Sequence, residues 1–250
     1  MAKVKGIIEF NGTIGGITFY QRKDSKKGPF ARKPGGYTAE AIKTKDSMAP
    51  VRNNASELGA VSVAVRVFKL GIAPLMPPVK IGDFHSRLVS LFFKILSTDL
   101  QSPRGRRSVA VVLESAEGRS FLLGHPLLYK TSKKLQLFKE LTYDAATRQL
   151  TYGGLNKGSY QFPKGSDAIQ FQAGLLWLDF AGEVSKMTLS EKVIQKKGLQ
   201  EPFAVTFPED GDGTGICLVV FSVNFLEKYG DGYRGLLGVN GSYLEVVGIV

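Results

Sequence analysis

From about Arg107 to Val250, short apolar or alternating segments recur between clusters of Gly, Asp and Asn. Segments of this kind, roughly 8–12 residues apart, are typical of antiparallel strands joined by turns. The pattern predicts an immunoglobulin-like β-sandwich over residues 107–250. It is not of the antibody type, because the chain has one cysteine, Cys217, which we expect to be a buried small hydrophobe. The expected strands are residues 109–113, 121–123, 150–152, 160–162, 169–171, 175–180, 203–207, 216–225 and 243–250.

Residues 46–101 carry the periodicity of α-helices instead. In two segments, apolar residues recur at alternating spacings of three and four, which places them on one face of a helix. We therefore expect a helical hairpin with a proline-rich link. The second helix has a wider apolar face and needs a further partner, either the β region of the same chain or another subunit. The expected core positions are Leu58, Val61, Val65, Phe68, Ile72 and Leu75 in the first helix, and Phe84, Leu88, Leu91, Phe92, Phe93, Ile95 and Leu96 in the second.

Residues 1–45 form a basic arm that completes an α+β chain. They hold ten Lys and Arg against three acidic residues, and so supply +7 of the formal net charge of +11. Asn11-Gly12 is the strongest local signal for a two-residue type I′ turn, because both central residues need a positive φ. This turn predicts a β-hairpin in which Val4 pairs with Phe19 and Ile8 with Gly15.

One face of the predicted hairpin is apolar. A two-stranded hairpin is only marginally stable in water, so we expect this face to dock on another surface. That surface belongs either to the body of the same chain or to a neighbouring subunit. The predicted docking residues are Val4, Ile8, Phe10, Ile17 and Phe19.

Basic residues in the arm are candidate phosphate ligands. Their side chains could neutralise phosphates, and aromatic residues such as Tyr20 and Phe30 lie between them as stacking groups. Solvated loops or contact with an acidic protein surface account for the same charges, and no recognised nucleic-acid-binding module is present. The candidates are Arg22, Lys23, Lys26, Lys27, Arg32 and Lys33, with a second basic run at Arg104, Arg106 and Arg107.

Histidine and cysteine, which often carry catalysis or bind zinc, are scarce. His85 and His125 are the only histidines, and with one cysteine they cannot complete a zinc site without carboxylates. The glycine-rich segment at residues 12–16 lacks the Lys-Ser/Thr ending of a phosphate-binding loop, and no Gly-x-Ser-x-Gly motif places a nucleophile. We therefore expect no enzymatic activity, no metal and no cofactor.

Targeting signals are also missing from the sequence. No uninterrupted apolar stretch approaches the roughly 20 residues that span a bilayer. The N-terminal residues do not form a continuous apolar region followed by a cleavage site. We expect neither a membrane span nor a signal peptide, and a protein that stays in the cytoplasm or inside a particle assembled there.

The chain resembles a group of uncharacterised Bacteroidota proteins along most of its length, residues 102–134 excepted. The likeness implies an N-terminal hairpin plus helix and a C-terminal β-sandwich, and it implies no activity. The residues that carry it are Lys5 to Ile8, Gly12 to Tyr20, Ala31 to Lys33, Arg52 to Asn54, Gly174 to Asp179, Phe203 to Pro208 and Cys217 to Ser222.

These observations favour a non-enzymatic structural or assembly protein. In this hypothesis the basic hairpin arm engages a neighbouring subunit, either in a homo-oligomer or in a phage-derived or other multi-subunit particle. The alternative is a nucleic-acid-binding protein whose arm contacts phosphates. A small-molecule enzyme is the third and weakest hypothesis.

Overall fold

The computed structural model has an α+β architecture, with N-terminal strands, a helical region and a C-terminal region rich in antiparallel sheet. The predicted fold class is therefore confirmed. The chain divides into two compact units, Met1–Arg52 and Asn53–Val250. The structure describes residues 2–3, 11–21, 30–33, 36–77, 82–125, 127–128, 141–154, 162–198, 201–208, 213–236 and 242–250.

Four short antiparallel strands form the sheet of the first unit. They are β1 (Ala2–Lys3), β2 (Gly12–Ile14), β3 (Ile17–Tyr20) and β4 (Phe30–Arg32), in the spatial order β1-β4-β3-β2. Helix α1 (Ala39–Thr44) follows, and the Thr38 hydroxyl caps it by accepting a hydrogen bond from the Ala41 N–H at 3.1 Å.

The tight turn of this sheet lies at Gly15-Gly16. Ile14 pairs with Ile17 across it, so the loop has two residues. The two glycines have φ of 55° and 72°, as a type I′ turn requires at both central positions. Glycine adopts this conformation without a Cβ clash, which is why the pair forms the turn.

The predicted turn at Asn11-Gly12 is therefore wrong. Gly12 lies within β2 and pairs with Phe19. The predicted pairing of Val4 with Phe19 is wrong for the same reason. Residues 4–10, which held the rest of the predicted first strand, lie outside the described residues.

Four more α-helices follow α1 in the described part of the chain. They are α2 (Ala49–Ile72), α3 (Phe84–Ser97), α4 (Val109–Glu114) and α5 (Ala116–Ser120). The first two correspond to the predicted helical segments. The predicted strands at 109–113 and 121–123 are wrong. Residues 109–113 form most of α4, and in the second segment a single parallel bridge joins Leu123 to Val246.

The larger sheet of the second unit is built around two long strands, β7 (Ala168–Asp179) and β11 (Ile216–Tyr229). They pair antiparallel from Leu178 opposite Ile216 to Ala168 opposite Leu226. The two segments predicted at 169–171 and 175–180 thus belong to one continuous strand. The remaining strands are β8 (Val184–Leu189) and β9 (Val193–Lys196) beside β7, and β12 (Gly232–Gly235) and β13 (Ser242–Ile249) beside β11.

A three-stranded antiparallel sheet packs on one face of the larger sheet. Its strands are β5 (Leu141–Asp144), β6 (Gln149–Tyr152) and β10 (Phe203–Thr206), in the order β10-β6-β5. Tyr152 joins the two sheets, because its ring lies 5.1 Å from that of Phe171 and 6.0 Å from that of Phe221. The two sheets thus enclose a common core. Of the strand predicted at 160–162, residues 160–161 lie outside the described part.

The helices cover the opposite face of the larger sheet. Phe68 of α2 and Phe92 of α3 are fully buried in one cluster with Leu176 and Leu218, which point away from the smaller sheet. Successive residues of a strand alternate between faces, so β7 and β11 bury both sides. This explains why the sequences of β7 and β11 are nearly continuous apolar runs.

The wide apolar face of α3 is satisfied within the chain. The Phe92 ring lies 5.5 Å from that of Phe68 and 6.0 Å from that of Phe180, both edge to face. The predicted further partner of α3 is therefore the β region of the same chain. This face supplies no argument for a second subunit.

The predicted core stripe of α2 is correct except at its start. Val61, Val65, Phe68 and the positions after them are buried, whereas Leu58 is 49% exposed. The preceding residue, Glu57, is buried in its place. The continuous helical stretch Asp46–Leu75 is long and apolar enough to cross a membrane, although core helices of soluble proteins have the same character and 44% of its most apolar window is buried.

Candidate interaction site on the N-terminal sheet

The strand register sorts the residues of the N-terminal sheet onto two faces, because paired residues in antiparallel strands share a face. The apolar face carries Ile14, Ile17, Phe19 and Ala31. The basic face carries Thr13, Thr18, Tyr20, Phe30 and Arg32.

The apolar face is exposed at its tip. Ile14 is 59% exposed and Ile17 is 38% exposed, on either side of the Gly15-Gly16 turn. These two β-branched side chains lie directly opposite each other, so they form one apolar surface at the end of the hairpin. Burying such a pair against a partner releases about 25 cal/mol for each Å² of apolar surface removed from water.

The described residues of the first unit supply little buried core. Among these described residues, only Met48 is buried. Small sheets need packing on one face for stability, and this one has short strands. Among the described residues of the first unit, few buried side chains are therefore present to stabilise this sheet.

The basic face combines cationic and aromatic groups. The Arg32 guanidinium carbon lies 5.2 Å from the centre of the Tyr20 ring, within the distance of a cation–π contact. The Tyr20 and Phe30 rings are 5.9 Å apart and tilted. Arg32 and the following Lys33 are exposed, so their charges face solvent.

The predicted site residues are placed as follows. Ile17 and Phe19 share the apolar face, and Arg32 and Lys33 are exposed. Sequence reasoning missed Ile14, because the turn was expected four residues too early. The remaining candidates lie outside the described residues: Val4, Ile8, Phe10, Arg22, Lys23, Lys26 and Lys27.

In the second basic run, Arg104 and Arg107 bond to side chains of α2, whereas the sequence suggested phosphate contacts. Arg107 donates from Nε to Glu57 Oε1 at 2.7 Å and from Nη2 to Glu57 Oε2 at 2.6 Å, so the guanidinium is paired bidentately. The Gly105 N–H donates to the same Oε1 at 2.7 Å, and Arg104 donates to the Asn54 side-chain carbonyl at 2.9 Å. These contacts hold the loop against α2.

Two buried carboxylates organise this loop. The hydrogen bonds and charge of Arg107 hold the pKa of Glu57 below its usual value, although burial opposes them. Burial raises the pKa of Asp99, but the backbone N–H groups of Ser102, Ser108 and Gln101 outweigh it and hold this pKa low as well. Both groups are ionised acceptors at neutral pH, and both serve the structure of the loop.

Metal-binding clusters are not found in the described part of the chain, where no group of three or more His, Cys, Asp or Glu residues comes together. No protein-family model, curated protein or solved structure matches the chain. The resemblance to uncharacterised Bacteroidota proteins therefore stays a prediction.

Proposed function

We propose that this chain is a non-enzymatic structural or assembly protein that docks on a neighbouring protein through the apolar face of its N-terminal sheet. The observation that carries the proposal is the exposed pair of Ile14 and Ile17 at the end of the N-terminal sheet. Among the described residues of the first unit, only Met48 is buried. An apolar tip of this kind gains stability when a partner covers it. The partner is a second copy of the chain or another subunit of a phage-derived or other multi-subunit particle.

The test is the mass of the native protein in solution, measured by light scattering. Wild-type protein is expected to form an oligomer, and the double variant Ile14→Asp, Ile17→Asp is expected to be monomeric because each carboxylate must be desolvated at the interface. The control is Leu58→Asp, Leu70→Asp, since it places the same two charges on exposed apolar residues outside the sheet. A wild-type monomer at micromolar concentration that recruits no partner subunit from its source contradicts the proposal.

A second candidate is nucleic-acid binding by the basic face together with the exposed Lys33 that follows it in sequence. It is supported by the cation–π contact of Arg32 with Tyr20, since guanidinium and aromatic groups also stack on bases. Binding by Arg32 and Lys33 would weaken steeply with salt, with a log–log slope of about −0.9 for each phosphate neutralised on B-DNA.

Filter binding separates the two candidates. The double variant Arg32→Glu, Lys33→Glu should lose nucleic-acid binding if the second candidate holds, while its oligomeric state stays unchanged. If the first candidate holds, the Ile-to-Asp variant loses assembly, and wild-type protein shows no salt-sensitive affinity for nucleic acid.

A further inference from the structure

A cavity of about 240 Å³ opens on the helix-facing side of the larger sheet, next to the segment that follows α2. Pro74 to Pro77 form one wall. Gln170 and Gln172 of β7 and Asn224 of β11 lie in its lining, and Lys192 contributes from the loop between β8 and β9. All of these residues belong to the second unit.

The polarity of the sheet changes where the helical cover ends. On the helix-facing side of β7, the side chains are Leu176 and Leu178 under the helices, and Gln170 and Gln172 at the cavity. Gln170 pairs with Asn224 on the neighbouring strand, so amides stand next to each other across the sheet. The cavity is therefore lined by groups that both donate and accept hydrogen bonds.

Hydrogen bonds orient two of these amides. Asn224 Nδ2 donates to Ser222 Oγ at 3.2 Å, and the Ser222 hydroxyl donates to the Leu75 carbonyl at 3.4 Å. Gln172 Nε2 donates to the Ser190 carbonyl at 3.2 Å. Because the nitrogens make these bonds, the carbonyl oxygens of both amides are left as acceptors for hydroxyl groups.

Charge and size narrow the ligand class. Lys192 is exposed and is the one charged residue in the described lining. The lining contains no described carboxylate that would repel an anion. A volume of about 240 Å³ lies just under the roughly 300–1,000 Å³ of pockets for drug-sized ligands, which suits a monosaccharide.

We propose that this cavity binds an acidic monosaccharide. Its hydroxyl groups donate to the carbonyl oxygens of Gln172 and Asn224 and exchange hydrogen bonds with Gln170, while its carboxylate pairs with the Lys192 ammonium. None of these residues belongs to the N-terminal sheet, so this proposal does not depend on the proposed assembly role.

The experiment is a titration of the full-length, ¹⁵N-labelled protein with D-glucuronate and with D-glucose, which differ at the carboxylate carbon. We expect glucuronate to shift the amide signals of residues 170–172, 192 and 224, and to bind at least about tenfold more tightly than glucose. Lys192→Gln should remove this preference, whereas Lys69→Gln, on the exposed side of α2, should leave it intact. Asn224→Leu should abolish the shifts, and Gln101→Leu, an exposed amide outside the cavity, should not.

Three results would overturn the proposal. They are the absence of shifts at the lining residues with glucuronate up to about 20 mM, equal affinity for the charged and neutral sugars, and binding that survives Asn224→Leu in a folded variant. The dispersion of the amide spectrum reports folding of each variant, and Gln170→Leu serves as a second cavity variant if Asn224→Leu does not fold.

Discussion

Arg107 donates two hydrogen bonds to the carboxylate of Glu57, one of 2.7 Å from Nε to Oε1 and one of 2.6 Å from Nη2 to Oε2. The two residues are 50 positions apart in sequence. Their side chains are 21% and 5% exposed, so the pair is largely withdrawn from water. This pair joins α2 to the loop that leads into α4, and it accounts for a glutamate on the buried face of α2, four residues before Val61.

Removal of this pairing should destabilise the fold. Glu57→Gln leaves the largely buried Arg107 guanidinium without its counter-charge, and we expect a loss of about 2–3 kcal/mol in the free energy of unfolding. The control is Glu183→Gln, which breaks the ion pair with Arg66. Because both of its partners are half-exposed, this second loss should stay under about 1 kcal/mol. Urea unfolding at neutral pH measures both, and equal losses would contradict the assigned burial of the Glu57 pair.

Acid should erase the difference between wild type and Glu57→Gln. The pKa of Glu57 is lower in the folded chain than in the unfolded chain, so the folded state is stabilised above the unfolded pKa of about 4.3. That contribution is lost as the pH falls through the lower, folded pKa. Urea unfolding of both proteins at pH 7, 4 and 3 is the measurement. A difference that stays constant over this range would show that Glu57 has the same pKa in the folded and unfolded chain.

The Gly15-Gly16 turn makes a local prediction. Gly16→Val forces a β-branched residue to a φ of 72°, and we expect a cost of about 1–2 kcal/mol to the hairpin. Faster hydrogen exchange at the amides of β2 and β3 reports this loss. Asn11→Ala is the control, because the sequence pattern placed the turn at Asn11-Gly12. If Asn11→Ala weakens the hairpin and Gly16→Val does not, the observed register is wrong.

Two glycines of α2 should respond in opposite directions. A Cβ at Gly71 would overlap Cδ1 of Leu176 in β7 and approach Ser185, whereas a Cβ at Gly59 meets nothing within 4 Å. Gly71→Val is therefore expected to cost about 1–3 kcal/mol through overpacking. Gly59→Ala should stabilise the helix by up to about 1 kcal/mol. Thermal unfolding compares them, and unchanged stability of Gly71→Val would show that the Leu176 and Ser185 side chains do not confine α2 at this position.

Local patterns determined much of this protein. The stripe from Val61 to Leu75 lies on one buried face because the 3.6-residue repeat places those positions together without information from elsewhere. The α+β class followed from the change of period near residue 107. The separation of Ile17 and Phe19 from Thr18 and Tyr20 also followed, since alternate residues of a strand face opposite sides whichever strand is the partner.

Other features were decided by partners that are distant in sequence. Residues 109–113 have strong β propensity, yet they form a helix because Val109, Val112 and Leu113 bury one side against the α2–α3 core. The turn forms at Gly15-Gly16 and not at Asn11-Gly12, although both pairs suit the turn geometry. In the observed register β3 pairs with β4 as well as with β2, and β4 is more distant in sequence.

The burial of Glu57 and the exposure of Leu58 show the same limit. Helical periodicity marks Leu58 as a core position, but burial of Glu57 depends on Arg107, which only the folded chain brings to it. Periodicity specifies which residues share a face, because it follows from the backbone repeat. What covers that face, and so whether a charge there can be paired, depends on segments brought together by the tertiary fold.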